Sequence, residues 1–291
     1  MRSLLFIPGD SPKKLDKGMD SGADALILDL EDSISAENKD VARKTALEFL
    51  KANRGAAKRP RLLVRINGFE PGFTDADLDV IVQGAPDAVM FPKAEGGAAV
   101  VHLDAKLTAR EAMHGLEEGS IGIVAIATET AKALFLAGTY AGVSKRLQGL
   151  TWGAEDLSAE LGADANRDTQ GNFLDPYRLA RCLCLAGASA AQVQPIDTVY
   201  VDFRNNAGLR RECEEARRDG FTGKMAIHPA QVAIMNEVFT PSAEAIARAK
   251  AIVAAFAAQP GAGVVGFEGR MLDRPHLAKA KQLLARIAAP R

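Results

Sequence analysis

The chain has 291 residues, of which 47% are hydrophobic and 25% are charged, and its formal net charge is −1. This length allows either two ordinary domains or one large α/β barrel of about 250 residues with a sizeable core. The lack of any acidic or basic excess excludes nucleic acid and an anionic membrane surface as general partners, whereas a small anionic ligand still fits a local basic site.

The amino-terminal apolar run is short, since residues 4–7 are followed at once by Pro8. It is too short for a signal peptide, and no segment approaches 18 consecutive apolar residues, so we expect neither secretion nor a membrane span. Cys182, Cys184 and Cys213 are odd in number and lack partners at zinc-ligand spacing. They indicate reduced thiols in a cytoplasmic protein.

Eight short apolar runs of strand type follow one another along the chain, separated by segments whose apolar residues fall three and four apart. Three of those helical segments are SPKKLDKGMDSG, KDVARKTALEFLKA and DPYRLARCLCLAGA. The predicted strands are LLFIP (4–8), ALILDL (25–30), RLLVRI (61–66), AVMFPK (88–93), IGIVAIAT (121–128), LQGLTW (147–152), AAQVQPI (190–196) and KMAIHP (224–229).

Strands that are apolar on both faces and alternate with helices predict a parallel sheet covered by helices. Eight such units favour a closed (β/α)8 barrel over residues 1–240. The alternative, an open sheet with a dinucleotide site, lacks a G-x-G-x-x-G sequence after the first strand, where PGDSP stands instead. Residues 241–291 differ, because two helical segments flank the glycine-rich stretch PGAGVVGFEGRML. We predict a carboxy-terminal helical extension there.

Active sites of (β/α)8 barrels lie at the carboxyl ends of the strands, so the polar residues at those ends are the candidates for chemistry. Carboxylates on neighbouring strands with an arginine opposite suit a hard divalent cation and an oxyanionic substrate. The alternative interpretation is that these acids are solvated residues at the starts of loops, without a role in binding. In chain order the residues are Asp29, Glu31, Asp32, Arg65, Asn67, Lys93, Glu95, Glu129, Glu155, Asp156, Gln194, Asp197 and His228.

Nucleophilic catalysis has little support in this set. No cysteine stands at a strand end, and no serine lies in a G-x-S-x-G sequence. Lys93 is the clear candidate for a Schiff-base lysine, although nothing in the sequence requires that role, and we expect it to pair with a barrel acid.

Seven motifs in order along the chain resemble those of the citrate lyase β-subunit-like proteins of the HpcH/HpaI aldolase family, which includes malyl-CoA and citramalyl-CoA lyases. The carboxy-terminal GRMLDRPHLAKAK resembles the lid segment of that family. The seven motifs are RSLLFIPGDSPKKLDKG, ADALILDLEDSI, LLVRINGFE, VMFPKAE, IATETA, GLTWGAEDLSAELGA and GKMAIHPAQV.

The resemblance implies a (β/α)8 barrel of the phosphoenolpyruvate/pyruvate superfamily that uses Mg²⁺, with Mn²⁺ as an alternative, and assembles as a trimer or hexamer. The implied reaction is cleavage of a 3-hydroxy-acyl-CoA, of the citramalyl-CoA, malyl-CoA or citryl-CoA type, into acetyl-CoA and a 2-oxo acid. Two alternatives remain open: an acyl-CoA thioesterase on the same scaffold, and a citrate lyase β subunit acting on a carrier-bound acyl group.

The resemblance also implies roles for individual residues. Glu129 of IATETA and Asp156 of GAED resemble the metal ligands, with Glu129 also close to substrate, and Arg65 of VRING resembles the substrate-binding arginine. Asp273 of MLDRP resembles the acid/base that the lid of a neighbouring subunit brings over the site. Residues 2–14, with Lys13 and Lys14, resemble a segment that contacts the CoA nucleotide.

The remaining candidates have plainer expected roles. We expect Glu31 and Asp32 to orient Arg65 or metal-bound waters, with direct metal ligation as the alternative for these two acids. For Arg65, the structural alternative to substrate binding is an ion pair with either acid. A closed lid would raise the pKa of Asp273, because it would bury the carboxyl group. The structural alternative to an acid/base role for Asp273 is that it caps the amino terminus of the following helix.

Surface and packing roles are expected for several other side chains. His228 is expected to cap or orient a loop, and Trp152 to pack in the barrel. Glu155 and Glu160 are expected to have structural roles or to lie outside the direct ligands of the metal, and Asp29 to point into the barrel and form hydrogen bonds there. We expect His102, His114 and His276 to lie at the surface.

Overall fold

Eight parallel strands form a closed barrel in which each strand pairs with its neighbours in sequence and the eighth pairs with the first. The structure is a computed structural model that describes residues 1–288. It confirms the predicted (β/α)8 barrel. The strands are β1 Ser3–Pro8, β2 Ala25–Asp29, β3 Arg61–Arg65, β4 Ala88–Phe91, β5 Gly122–Ile126, β6 Leu147–Thr151, β7 Gln194–Asp197 and β8 Gly223–Ala226.

Helices follow the strands and cover the outside of the barrel, as the three- and four-residue spacing of the apolar residues predicts. Short 3₁₀ turns precede or extend several of them. The helices are α1 Pro12–Met19, α2 Lys39–Asn53, α3 Thr74–Ile81, α4 Gly96–Met113, α5 Ala131–Leu136, α6 Ala154–Glu160, α7 Asp175–Ala191, α8 Asn206–Asp219 and α9 Val232–Phe239.

The seventh strand begins later than predicted, because the alanine-rich start of AAQVQPI belongs to the preceding helix. Helix α7 continues to Ala191 and ends at Gln192, which adopts a left-handed conformation with φ +57°. The eighth strand ends earlier than predicted, at Ala226, since His228 and Pro229 begin a 3₁₀ turn. Both errors lie at element ends, where local capping decides the boundary.

Two apolar layers hold the barrel together. In β2, Leu26 and Leu28 pack outward against the helices, while Ile27 points into the barrel interior. Because the interior is filled with side chains, a ligand has to bind at an end of the barrel and not along its axis. The interior layer comprises Leu4, Ala25, Ile27, Leu63, Ala88, Met90, Val124, Ile126, Ile196 and Met225.

Residues from Thr240 onward form a second compact unit, separate from Met1–Phe239. It contains α10 Ala243–Ala257, an antiparallel hairpin and α11 Arg274–Ala288. The hairpin strands are β9 Val264–Phe267 and β10 Arg270–Asp273, joined by Glu268 and Gly269, which both have positive φ. The glycine-rich stretch therefore forms most of a β-hairpin with a two-residue turn, where the sequence predicted no strands.

The second unit has its own small apolar core, which includes Ile252, Phe256 and Leu272. In the part of the chain that the structure describes, no helix is both long enough and apolar enough to span a bilayer.

Candidate active site

The candidate site is a cavity of about 420 Å³ at the carboxyl ends of the barrel strands. Seven of the eight strands, or the loops that follow them, contribute to its wall, and β4 with its loop is the exception. Its charged lining comes from the last residues of β2 and β3 and from the segments that follow β2, β5 and β6. Its apolar lining comes mainly from β1, β5 and β8 and from the segments after β7 and β8. The lining residues are Phe6, Pro8, Asp29, Asp32, Ser33, Arg65, Ile126, Glu129, Gly153, Ala154, Glu155, Asp156, Thr198, Val199, Met225 and Ile227.

Arg65 is fixed in the pocket by Asp29, its neighbour in the register between β2 and β3. Its Nε and Nη2 donate to the two carboxylate oxygens of Asp29 at 2.7 Å each. The ring of Phe6 lies against the guanidinium, with its centroid 4.9 Å from Cζ. Burial alone would raise the pKa of Asp29, but the hydrogen bonds and charge of Arg65 outweigh it and lower that pKa. Asp29 is therefore the ionised partner that orients Arg65.

Glu31 and Asp32 also reach Arg65, as the sequence analysis expects of these two acids. Glu31 Oε2 lies 2.8 Å from Arg65 Nη1, an ion pair without hydrogen-bond geometry, and Asp32 Oδ2 lies 3.4 Å from the same nitrogen. Glu31 is buried, whereas the Asp32 side chain is exposed at the pocket rim. The ion pair of Arg65 with Glu31 or Asp32, proposed as the structural alternative, is thus present with both acids. The stronger interaction of Arg65 is with Asp29, which accepts two hydrogen bonds from it.

Lys93 lies two residues after the end of β4 and contacts three of the acids. Its ammonium Nζ is 2.6 Å from Glu31 Oε1 and 3.2 Å from Asp156 Oδ1. Its main-chain N–H donates to Glu129 Oε2 at 2.6 Å. Burial alone would lower the pKa of Lys93, but Glu31 and the other acids raise it, so the amine stays protonated. The predicted pairing with a barrel acid is confirmed, and a protonated amine is a poor Schiff-base nucleophile.

Glu129 is buried, with 3% of its surface exposed. Burial, then the negative charge of Asp156 and that of Glu31, raise its pKa to about 8. Gly153 makes room for this side chain, since a Cβ at that position would lie 2.7 Å from Glu129 Cγ. The site thus holds a carboxyl group whose negative charge is incompletely compensated by protein cations.

The donor set around Glu129 fits a hard divalent cation. Mg²⁺ binds through one or two carboxylates and keeps water or substrate oxygens as its other ligands. Glu129 and Asp156 line the same cavity and would hold the ion. Within residues 1–288 no group of three or more His, Cys, Asp or Glu side chains is arranged as a metal site, so the protein alone offers no complete coordination shell. The open positions suit an oxyanionic substrate.

The three acids of the segment GAEDLSAE differ in their exposure and in their distance from the pocket. Helix α6 begins directly after Gly153, which places Asp156 in its first turn, half-buried in the pocket. Glu155 is exposed at the rim and accepts a hydrogen bond from Asn166, whereas Glu160 is exposed at the end of the helix.

Trp152 is fully buried, as expected for barrel packing, and its indole N–H donates to Asp197 Oδ1 at 2.7 Å. His228 caps the 3₁₀ turn after β8, since its Nδ1 accepts from the main chain of Ala230. The expected capping role of His228 is thus confirmed. His102, His114 and His276 are exposed, also as expected, and the three cysteines are unpaired.

Asp273 lies in the second unit, immediately before α11, with its side chain exposed. Its carboxylate contacts the ring of His276 at 2.5 Å, and this hydrogen bond lowers the pKa of Asp273. The raised pKa expected for a closed lid is therefore absent from the chain as described, because the carboxylate is solvated and has a partner.

Sequence reasoning missed three features of the site: the double hydrogen bond from Arg65 to Asp29, the contact of the Lys93 amide with Glu129, and the space at Gly153. Two polar residues at the ends of consecutive strands, Asp29 and Arg65, were a usable signal for the first. The other two depend on backbone geometry that residue types alone do not reveal.

Comparison with known proteins places this chain in a family. The profile of the HpcH/HpaI aldolase/citrate lyase family matches residues 2–229. The chain is 33% identical to citrate lyase subunit beta of Escherichia coli K12, over 98% of this chain and 92% of that protein. It is 34% identical to the mitochondrial citramalyl-CoA lyase of Rattus norvegicus, over 97% of this chain and 85% of that protein. It is 36% identical to a (3S)-malyl-CoA thioesterase of Cereibacter sphaeroides, over 99% and 95%.

Solved structures agree with the sequence comparison. The protein CitE of Mycobacterium tuberculosis, in complex with magnesium, acetoacetate and coenzyme A, is 31% identical and superposes with a TM-score of 0.78, over 99% of this chain and 100% of that one. The resemblance drawn from the motifs is confirmed, and the chain is an enzyme of the lyase class. It belongs to the HpcH/HpaI aldolase/citrate lyase family.

Proposed function

We propose that this chain is a Mg²⁺-dependent carbon–carbon lyase that cleaves a 3-hydroxy-acyl-CoA into acetyl-CoA and a 2-oxo acid. Citramalyl-CoA, malyl-CoA and citryl-CoA are the candidate substrates. The observation that carries the proposal is the pair of carboxylates, Glu129 and Asp156, in one pocket with Arg65. The relatives named for citrate and citramalyl-CoA cleavage support it, as does the CitE structure with magnesium and coenzyme A.

Mg²⁺ held by Glu129 and Asp156, or Mn²⁺ with the same oxygen ligands, would supply Lewis-acid polarisation of the 2-oxo acid's carbonyl and carboxylate oxygens. Arg65 adds hydrogen bonds at the same place. A guanidinium has five N–H groups, and Arg65 donates three of them in hydrogen bonds to Asp29 and Asp32, which leaves two for a substrate oxygen. Its fixed orientation means that little entropy is lost when substrate binds.

The apolar wall of the pocket has a separate role. Ile126, Val199 and Met225 line the same cavity with apolar side chains, which offer water no hydrogen bonds. A dry wall strengthens the hydrogen bonds of Arg65 and protects a carbanionic acyl fragment from premature protonation by solvent.

We assign proton transfer to Asp273, on the strength of the lid motif. When the carbon–carbon bond breaks, its electron pair stays on the acetyl carbon, which takes a proton from Asp273. The substrate hydroxyl releases its own proton to solvent as its oxygen becomes the carbonyl oxygen of the 2-oxo acid, and Asp273 regains a proton from solvent before the next turnover, so no proton is consumed overall. In this proposal the enzyme is a cytoplasmic homotrimer or hexamer, and each Asp273 serves the barrel of a neighbouring copy.

Two other functions each have a specific observation in their favour. The 36% identity to a (3S)-malyl-CoA thioesterase favours thioester hydrolysis, and the 33% identity to citrate lyase subunit beta favours action on a carrier-bound acyl group. An assay of the purified chain with citramalyl-CoA, malyl-CoA and citryl-CoA, with and without EDTA, separates the three. We expect acetyl-CoA and a 2-oxo acid, both lost with EDTA. Free CoA without a 2-oxo acid would identify a thioesterase, and no turnover without a carrier protein would identify a subunit.

Substitution of either proposed metal ligand tests the site directly. We expect Glu129→Ala and Asp156→Ala each to lower Mg²⁺-dependent turnover by about 10³-fold or more, because the charge stabilisation at the reacting oxygens is lost. Steady-state assays give the rate, and circular dichroism verifies the fold. Glu160→Ala, which removes an exposed acid from the same helix as Asp156, is the matched control and should retain wild-type turnover. Full activity in both ligand variants would refute the site.

A further inference from the structure

Lys93 has an unusual backbone conformation for its residue type. Its φ of +49° lies in the left-handed region, which glycine and asparagine adopt more readily than lysine does. This turn directs the main-chain N–H of Lys93 onto Glu129 Oε2. A glycine would provide the same N–H with less strain, so the presence of a lysine indicates that its side chain has a function here.

The side chain of Lys93 joins acids from two separate elements. Its ammonium lies between Glu31, which follows β2, and Asp156, in the first turn of α6. Asp32 Oδ1 is 3.9 Å away. One residue thus contacts Glu129 through its main chain and Asp156 through its side chain, and these are the two proposed metal ligands.

Acids outnumber bases around the pocket. Arg65 is already held by both oxygens of Asp29, so its charge is largely compensated. The ammonium of Lys93 instead touches a proposed metal ligand directly. The acids of the cluster are Asp29, Glu31, Asp32, Glu129 and Asp156, and its bases are Arg65 and Lys93.

We propose that Lys93 is a positioning residue that sets the charge of the metal site, so that the divalent cation binds weakly enough to exchange and an anionic substrate is admitted. The inference rests on the proposed metal site. An ammonium beside Asp156 repels a cation bound to that carboxylate and attracts an incoming carboxylate. Removal of the ammonium therefore has opposite effects on the two ligands, whereas loss of a merely structural contact would weaken both.

Isothermal titration of the full chain with MgCl₂, and then with pyruvate in excess Mg²⁺, tests the proposal. For Lys93→Met we expect Mg²⁺ to bind about tenfold more tightly and pyruvate about tenfold more weakly, because a unit charge is lost within a few ångströms of both. Lys93→Arg keeps the charge and should stay within about threefold of wild type for both ligands. Lys93→Gly keeps the main-chain N–H and adopts the positive φ without strain, so it should show the same two affinity changes as Lys93→Met.

Lys132→Met is the matched control, because Lys132 is an exposed lysine that pairs with Glu95, and its loss should leave both affinities unchanged. Unchanged or weaker Mg²⁺ binding in both Lys93→Met and Lys93→Gly would overturn the role of Lys93 while the metal site stands. Two other outcomes would overturn the metal site and this inference with it. One is wild-type Mg²⁺ affinity in both Glu129→Gln and Asp156→Asn, and the other is the absence of Mg²⁺ binding to the wild-type protein.

Discussion

Glu129 illustrates how one buried residue can couple metal binding to protonation. A carboxyl group without enough compensating positive charge takes up a proton, and this explains why its pKa rises to about 8. A cation and the proton then compete for the same oxygens. Below that pKa the proton is bound in the metal-free protein, and Mg²⁺ has to displace it.

We expect the affinity for Mg²⁺ to weaken about tenfold for each pH unit below 8 and to level off above it. Titration calorimetry at pH 6.0, 7.0, 8.0 and 9.0 in buffers of differing ionisation enthalpy would give both the affinity and the number of protons released. About one proton should leave at pH 6 and almost none at pH 9. An affinity that does not change between pH 6 and 8 would contradict the raised pKa of Glu129.

The same residue affects stability with a defined sign. The folded-state pKa of Glu129 is raised above the usual value of about 4.5, so the folded metal-free protein holds a proton that the unfolded chain releases. The contribution of this group to the free energy of unfolding is fully present below pH 4.5 and is lost as the pH rises through 8. Mg²⁺ offsets that loss, because it replaces the proton as the counter-charge.

At the scale of elements, a buried ion network ties the end of β7 to β8 and to the helices outside them. Asp197 accepts from Lys224 at 2.9 Å, from Arg181 at 3.2 Å and from the indole of Trp152. Lys224 also reaches Glu212 of α8 at 2.7 Å. Asp197 and Lys224 are fully buried, so each charge depends on the other for compensation.

We expect Lys224→Met to lower the free energy of unfolding by about 3 kcal/mol, because it leaves the buried Asp197 with one cation fewer. Urea denaturation followed by the fluorescence of Trp152, the single tryptophan, measures the barrel itself. Lys51→Met, at an exposed position of α2, should change stability by less than about 0.5 kcal/mol. A similarly small change in Lys224→Met would show that the network contributes little.

At the scale of the whole molecule, the chain comprises two compact units, and the residue proposed for proton transfer lies in the smaller one. Asp273 in the unit from Thr240 onward is exposed and bound to His276, whereas the polar pocket belongs to the barrel. A lid that acts on a neighbouring copy would make the oligomer, and not the single chain, the functional enzyme.

Mixing inactive variants tests this arrangement. Asp273→Ala has an intact barrel pocket and Asp156→Ala has an intact Asp273, so we expect each alone to be inactive. After subunit exchange the mixture should recover about one quarter of wild-type activity, since a random assembly pairs an intact barrel with an intact lid at one site in four.

Native mass spectrometry of differently tagged chains verifies the exchange in that experiment. Exchanged oligomers that remain inactive would show that Asp273 acts within its own chain or not at all.

The sequence by itself determined the barrel and the residues around its mouth. Strands buried on both faces need a long apolar run, and runs such as ALILDL and IGIVAIAT are visible without any knowledge of contacts. Because parallel strands bring their carboxyl ends together, the polar residues at the strand ends were predicted to meet at the barrel mouth. The resemblance to the family singled out Arg65, Glu129 and Asp156 among them, although the first and the last are 91 positions apart. All three line the pocket.

Only the tertiary structure decided how those residues are held. The double hydrogen bond from Arg65 to Asp29, the left-handed turn that aims the Lys93 amide at Glu129, and the space beside Gly153 all depend on backbone geometry. The same is true of the pKa of Glu129, which reflects burial and charges contributed by distant parts of the chain. Residue types specify which groups can interact, but distances of a few tenths of an ångström decide which of them do.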